Sequence, residues 1–205
     1  MSALTRRPRV RVSRAYERRR LRLVGEEAGA GAILDIGHAH WPNTYLRGEI
    51  VGFDREVPAS PSGYAEDLQG SVEDLPGALD GRTFDAVIAA ELIEHLEEPY
   101  AFLKSIRSLI RPGGRLVLST PNPVGLPVLF FEILRSRRFF YARDHSFYFT
   151  PRWVYRMLED SGYRVAGCRG VGLWTPVGAV PGPIGLSYQV IYVAEPAEDA
   201  PPMDQ

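Results

Sequence analysis

The sequence contains very little cysteine. Cys168 is the single cysteine among 205 residues, so an intrachain disulfide is excluded. The four histidines form no Cys/His cluster with the spacing of zinc ligands, and we expect no metal site. A disulfide-stabilised secreted scaffold and a structural zinc domain are therefore both excluded, and a reducing, cytoplasmic location is expected.

Long apolar runs are also missing. No stretch approaches the roughly 20 apolar residues that a membrane-spanning helix needs. Residues 1–7 lack the apolar segment of a signal peptide. We therefore expect no membrane span, although peripheral contact with a membrane remains open.

The charge is balanced overall but unevenly distributed. A formal net charge of −1 gives no positive field that would attract nucleic acid, which argues against a nucleic-acid partner. Arginine is concentrated before residue 23, and we interpret residues 1–30 as a basic arm followed by a helix over about 13–27. Residues 196–205, rich in proline and acids, are typical of a flexible tail.

Short apolar runs alternate with helical patterns in the middle of the chain. Four runs show little polar alternation, as expected for strands that are covered on both faces of a parallel sheet. They are residues 32–36, 49–54, 84–90 and 115–120. Between the third and fourth runs, apolar residues recur at helical spacing after Pro99 and stop at Pro112.

The later part of the chain predicts one further helix and two more strands. The helix covers residues 151–161, with Thr150 as its N-cap. The strands lie near 164–167 and 187–193, and the glycine- and proline-rich stretch 170–185 predicts a loop. Together these elements predict an α/β fold, a doubly wound, mostly parallel Rossmann-like sheet with an antiparallel late strand in a three-layer sandwich.

An acidic residue follows the second predicted strand. Open α/β sheets bind ligands at the carboxyl ends of their strands. Asp54 comes 17 residues after Gly37, near the spacing at which nucleotide-binding α/β proteins place a carboxylate for ribose hydroxyls. The alternative is that Asp54 caps a helix.

Four sequence blocks follow one another at set distances: ILDIG at 33–37, VGFD at 51–54, FDAVIAAELIEHL at 84–96 and LIRPGGRLVLSTPNP at 109–123. In order and spacing they resemble class I S-adenosylmethionine-dependent methyltransferases, and residues 144–151 resemble the small-molecule branch of that family. The resemblance implies a single methyltransferase-like domain over 31–195 with S-adenosylmethionine as cofactor. We interpret residues 124–149, apolar and then rich in arginine and aromatics, as a lid over the site.

The resemblance also implies a set of cofactor contacts. They are Asp35 and Gly37 at the first turn, Asp54 at the ribose, Ser71 and Val72 at the adenine edge, and Ala90 and Glu91 beside the methionine part. A second register would place the adenine contact within residues 63–68, but it leaves a long loop before the fourth strand. We favour the register with Ser71, where the family usually has an acid.

The first turn departs from the family pattern. The family has Asp-x-Gly-x-Gly-x-Gly, whereas Ala39 and Trp41 occupy the second and third glycine positions here. Residues 42–44 predict the start of an unusually short helix. Two interpretations remain: the turn follows another path with Trp41 packed beneath the cofactor, or the site is damaged.

Transfer of a methyl group to a hydroxyl needs a base, and histidine is suited to this at neutral pH. His145, before an aromatic run, is the first candidate for catalysis, and His95 is the second. The alternatives are a buried structural hydrogen bond for His145 and a solvated helix start for Glu91, Glu94 and His95.

The sequence thus predicts methyl transfer to a small-molecule, glycan or lipid-linked acceptor, with oxygen as the methylated atom. One alternative is a protein that keeps the fold and binds cofactor or ligand without turnover. A second is an RNA methyltransferase, suggested by the arginine-rich start. A dinucleotide-dependent oxidoreductase would need Gly-x-Gly-x-x-Gly, which the first turn lacks.

Overall fold

The computed structural model describes residues 14–135, 146–175 and 178–197. Helices in these ranges span Arg14–Ala28 (α1), Pro99–Ile106 (α2), Leu126–Arg135 (α3) and Pro151–Asp160 (α4). Strands span Ala30–Ile36 (β1), Arg47–Asp54 (β2), Glu66–Gln69 (β3), Phe84–Ala90 (β4), Ile110–Pro121 (β5), Tyr163–Gly170 (β6), Leu173–Thr175 (β7), Gly178–Val180 (β8) and Gln189–Pro196 (β9). The predicted arm before residue 14 and tail residues 198–205 lie outside these ranges.

Seven strands form one twisted sheet in the order β3-β2-β1-β4-β5-β9-β6. The strands from β3 to β5 pair in parallel, whereas β9 runs antiparallel to both β5 and β6. The prediction of a mostly parallel sheet with an antiparallel late strand is confirmed.

The predicted loop over 170–185 is partly wrong. Within it, β7 and β8 form a separate two-stranded antiparallel sheet. Each strand has three residues, which is too short to produce a recognisable periodicity among the surrounding glycines and prolines.

Helices cover both faces of the large sheet. On one face, α2 and α4 pack through Leu103, Ile106 and Met157 against strand residues such as Leu34. Ile33, the neighbour of Leu34 on β1, points to the opposite face, where α1 covers the sheet. This confirms the three layers, and each fully buried Leu or Ile stabilises them by about 1.5–3 kcal/mol.

The ends of α4 lie where the sequence predicts them. The Thr150 side chain accepts a hydrogen bond from the Trp153 N–H at 3.4 Å, and Pro151 occupies the first turn. Gly162 follows the helix with φ of +83°, a conformation that glycine adopts without strain. α1 likewise lies within one residue of its predicted span, and it places Tyr16, Arg20 and Leu23 against the sheet.

Candidate active site

The predicted cofactor residues converge on one edge of the sheet. Asp54 ends β2, Gly37 directly follows β1, and Glu91 directly follows β4. These three strands are neighbours and run in parallel, so their carboxyl ends lie side by side. From β1 the chain continues to β2 on one side, and from β4 it continues to β5 on the other side. In open α/β sheets the ligand crevice lies where the strand order reverses in this way, which here is between β1 and β4.

Asp54 is engaged with the backbone of the first turn. Its Oδ2 accepts a hydrogen bond from the Ala39 N–H at 2.7 Å, and its Oδ1 accepts one from the Glu56 N–H at 3.1 Å. A carboxylate has about four acceptor positions, so two hydrogen bonds leave capacity for further donors. The carboxylate therefore holds the turn and can still accept hydrogen bonds from a ligand.

The predicted short helix after residue 42 is wrong. Between β1 and β2 the chain forms turns, and the Asn43 Oδ1 accepts the Tyr45 N–H at 3.0 Å. Such local bonding by asparagine competes with helix formation. Trp41 is 58% exposed at this turn, and both interpretations, an indole packed beneath the cofactor and a damaged site, stay predictions.

Asp35 is buried beneath this turn. Its Oδ2 accepts a hydrogen bond from the Tyr64 hydroxyl at 2.6 Å. Burial raises the pKa of Asp35 to about 6, although the bond from Tyr64 and the nearby His38 and Arg20 oppose the rise. Asp35 is therefore a buried carboxylate at neutral pH whose ionisation depends on its partners.

Ser71 and Val72 follow β3, the strand next to β2. The Gly70 N–H donates to the Asp54 carbonyl at 2.9 Å, so Ser71 lies just beyond the end of β2. The Ser71 hydroxyl donates to the Glu73 carboxylate, and Val72 opens a short 3-10 helix, Val72–Asp74. The favoured register thus places Ser71 at the same sheet edge as Asp54.

Glu91 has an unusual backbone. Its φ is +54°, a left-handed conformation that costs a non-glycine residue of order 1 kcal/mol or more. The Glu91 N–H donates to the Ser119 carbonyl at 2.8 Å, and its carboxyl accepts from the Ser119 hydroxyl at 3.0 Å and from the Gln189 amide. Burial raises the pKa of Glu91 against the opposing charge of Arg20. Ala90 precedes it as the last residue of β4.

Glu94 does not form the solvated helix start that the alternative interpretation supposed. It is buried, with 1% of its surface exposed, and its Oε2 accepts a hydrogen bond from the Thr120 hydroxyl at 3.1 Å. Burial, and then the neighbouring Glu91, raise the pKa of Glu94 well above its ordinary value. Its Oε1 is buried without a partner among the described residues. His95, next in the chain, is partly buried.

His145 lies outside the described residues. The chain that directly follows it is tied to the site, because the Ser146 and Phe147 N–H groups both donate to the Glu94 carbonyl, at 2.8 and 3.1 Å. Phe147 stacks on Phe149 with ring centroids 5.6 Å apart. The segment after His145 therefore runs past the short 3-10 helix that contains His95, Ile93–His95.

Arg20 is a buried charge that the sequence interpretation missed. It lies on α1, is only 5% exposed, and pairs with Glu17 at 2.9 Å. Burial alone would lower the pKa of Arg20, but the charges of Glu91 and Glu17 outweigh it and the pKa is raised. One signal was available: Arg20 follows Tyr16 by four residues, on the helix face that is buried.

The described residues contain no cluster of His, Cys, Asp and Glu side chains that would hold a metal ion. Within the same ranges, no helix has the length and apolar character to cross a membrane.

Comparison with known proteins places this geometry in context. A family model described as a methyltransferase domain matches residues 9–166. An ubiquinone biosynthesis O-methyltransferase of Cereibacter sphaeroides is 29% identical over 170 residues, which are 77% of this chain and 65% of the relative. One of Roseobacter denitrificans is 30% identical over 146 residues, covering 63% of this chain and 58% of that one. The chain thus spans less than two thirds of the length of these relatives.

Solved structures share the fold at low sequence identity. The CcbJ methyltransferase from Streptomyces caelestis has a TM-score of 0.62 at 15% identity, covering 90% of this chain and 97% of that one. A SAM-dependent methyltransferase from Thermotoga maritima has a TM-score of 0.67 at 17% identity, covering 88% of each. A complex of DhpI with SAH has a TM-score of 0.60 at 18% identity, covering 87% and 84%.

Proposed function

The chain belongs to the class I S-adenosylmethionine-dependent methyltransferases, and from that membership we propose that it methylates a hydroxyl oxygen of a small, largely apolar acceptor. The observation that supports this most strongly is the placement of Asp54, Gly37 and Glu91 at the carboxyl ends of three adjacent parallel strands.

The residues at this edge fit the chemistry of S-adenosylmethionine. The cofactor carries a carboxylate, an ammonium group and a sulfonium, so its pocket needs charges of both signs. Arg20 supplies a buried cation, and Glu91 supplies a carboxyl group near it. Gly37, with φ of +83°, lets the backbone turn where a side chain would be strained.

Each residue has one role in this proposal. Asp54 accepts hydrogen bonds from the ribose hydroxyls. Ser71 and Val72 hold the adenine edge, and Ala90 with Glu91 flanks the methionine part. Arg20 faces the carboxylate of the cofactor. Asp35 and Gly37 orient the turn that closes the pocket.

The cofactor supplies an activated methyl group on a sulfonium, and the protein contributes mainly positioning and proton removal. In-line transfer requires the acceptor oxygen to be held at contact distance from the methyl carbon. His145 takes the hydroxyl proton of the acceptor at an imidazole nitrogen, and His95 is the second candidate for this role. The raised pKa of Glu94 suits it to hold a proton beside the site without carrying charge.

The acceptor class is proposed from the rim of the site and from the relatives. α3 begins five residues after β5 ends, and Leu126, Leu129 and Ile133 on it are exposed. Exposed apolar side chains in this number on one short helix favour an apolar ligand. The relatives are named for O-methylation in ubiquinone biosynthesis, which favours a hydroxylated aromatic acceptor over a glycan.

A direct test combines binding with transfer. Calorimetric titration should give a Kd for S-adenosylmethionine in the micromolar range, and methyl-labelled cofactor should label hydroxylated aromatic compounds more when they carry an apolar chain. Absence of cofactor binding would contradict the proposal. Transfer to RNA alone, with salt-sensitive RNA binding, would point to the RNA methyltransferase.

A second candidate is a cofactor-binding protein without turnover. One contact favours it: the Ser71 hydroxyl already donates to the Glu73 carboxylate. Micromolar cofactor binding with no transfer to any acceptor class would support this candidate.

A further inference from the structure

The connection between β1 and β2 lacks the element that normally stabilises such a turn. Parallel neighbouring strands are usually joined by a crossover that contains a helix, and the packing of that helix holds the preceding turn in place. Here residues 37–46 join Ile36 to Arg47 without a helix. Other contacts must hold this turn in place, because it contains Gly37 of the proposed pocket and the Ala39 N–H that donates to Asp54.

A polar network centred on the partly buried Tyr64 occupies this position. The Tyr64 hydroxyl donates to Asp35 Oδ2 at 2.6 Å and accepts the Asn43 N–H at 2.6 Å. The Asn43 side chain in turn donates to the Leu21 carbonyl on α1 at 2.9 Å. One hydroxyl thus joins the end of β1, the turn and, through Asn43, the N-terminal helix.

The aromatic ring of Tyr64 makes a second contact with the turn. It stacks on the His38 imidazole, with centroids 5.3 Å apart and an interplanar angle of 28°. His38 is 2% exposed, and its Nε2 lies 2.7 Å from Asp67 Oδ1 on β3. The His38 imidazole fits here because residue 52 is glycine. A Cβ at residue 52 would lie 2.3 Å from His38 Nε2. The arrangement therefore depends on residues from four separate segments.

We propose that Tyr64 is a positioning residue of the cofactor pocket, whose hydroxyl holds the first turn in its binding geometry in place of a crossover helix. The inference rests on the proposed function. Tyr64 acts through Asp35 and Asn43, and thereby sets the position of the Ala39 N–H that Asp54 accepts.

The same contact controls the charge of Asp35. Four groups from the surrounding elements affect it: Arg20 on α1, His38 in the turn, Asp54 on β2, and Tyr64 itself. The Tyr64 hydrogen bond favours the ionised form, so its loss should move the titration of Asp35 to higher pH. A residue that acted only on global stability would not move this titration.

The test compares Tyr64→Phe, which keeps the ring on His38 and removes the hydroxyl, with Tyr163→Phe. Tyr163 donates a buried hydrogen bond to the Leu103 carbonyl at 2.8 Å, on the opposite face of the sheet. Tyr64→Phe removes two hydrogen bonds, to Asp35 and from Asn43, whereas Tyr163→Phe removes one, so urea denaturation should show a loss of stability in both variants. Only Tyr64→Phe should weaken the Kd for S-adenosylmethionine, by about fivefold or more at pH 7.5.

The pH dependence of this Kd separates positioning from stability. The acid limb is the fall in affinity at low pH as Asp35 becomes protonated. In Tyr64→Phe this fall should occur at higher pH, whereas in Tyr163→Phe its position should not change. In an Asp35→Asn background, the same tyrosine change should still weaken binding but no longer shift the limb. An unchanged Kd and limb in folded Tyr64→Phe, or an equal loss in Tyr163→Phe, would overturn the role. Absence of binding by the unaltered protein would instead overturn the proposed function.

Discussion

Replacement of Asp54 by alanine should weaken cofactor binding more than it weakens the fold. The carboxylate accepts the Ala39 and Glu56 N–H groups at 2.7 and 3.1 Å, and it is placed to accept the ribose hydroxyls as well. A hydrogen bond to a charged group contributes about 1.5–3 kcal/mol, and the lower end applies to the partly exposed Asp54, so the two backbone bonds together stabilise the turn by about 3 kcal/mol. A domain of this size has about 5–15 kcal/mol of stability, so the variant should still fold.

The loss in affinity follows from the ribose contact. Loss of that contact costs at least about 1.4 kcal/mol, which is a tenfold rise in Kd for S-adenosylmethionine. Asp54→Asn should fall between the unaltered protein and the alanine variant. Its amide keeps one acceptor oxygen, but its NH2 then faces a backbone N–H that is also a donor.

A matched control lies at the opposite edge of the sheet. Asp85, near the start of β4, accepts the Ala32 N–H at 2.8 Å and pairs with Arg111 at 3.0 Å. Asp85→Ala should lower the urea midpoint without changing the Kd measured by calorimetry. An unchanged Kd in folded Asp54→Ala would refute the ribose assignment. An equal rise in Kd in Asp85→Ala would show that affinity follows stability alone.

Three further outcomes are expected. His145→Ala should reduce kcat by about a hundredfold or more while the Kd for S-adenosylmethionine changes less than twofold, and equal losses in both would indicate a structural role. Because the pKa of Asp35 is raised from 3.8 to about 6, the stability that its neutral form contributes is complete below about pH 4 and is lost as the pH rises through 6. Urea denaturation should therefore show Asp35→Asn gaining about 2 kcal/mol relative to the unaltered protein between pH 4 and pH 7, and a pH-independent difference would contradict this. Gly52→Ala should cost about 1–3 kcal/mol in the same assay, because the new carbon would overlap His38, whereas Gly77→Ala, with open space around the new carbon, should cost little.

The strands and helices of the core were predictable because their signals are local. β4 lies at the predicted residues 84–90, and α4 begins at Pro151 after its Thr150 cap. A buried parallel strand must be apolar along its length, and a helix start needs a cap, so a few adjacent residues carry the information. Asp54 and Glu91 were predictable at the same edge of the sheet, because parallel strands bring their carboxyl ends together.

The path of the first turn was not predictable from its own residues. Residues 42–44 suggest a helix start, yet Asn43 instead bonds locally to Tyr45 and across to Leu21 and Tyr64. Leu21 and Tyr64 are distant from Asn43 in sequence, and they become available only when α1 and the segment before β3 are packed against the turn.

The amino-acid sequence by itself determined the alternation of strands and helices, the family resemblance and the acid at the end of β2, because these depend on neighbouring residues. Only the tertiary structure decided that Arg20 is buried with its charge acting on Glu91, that Glu94 is removed from water, and that Tyr64 reaches Asp35. The physical reason is that the charge state and the hydrogen-bond partners of a polar side chain depend on its burial. Burial is a property of the packed chain and not of any short segment.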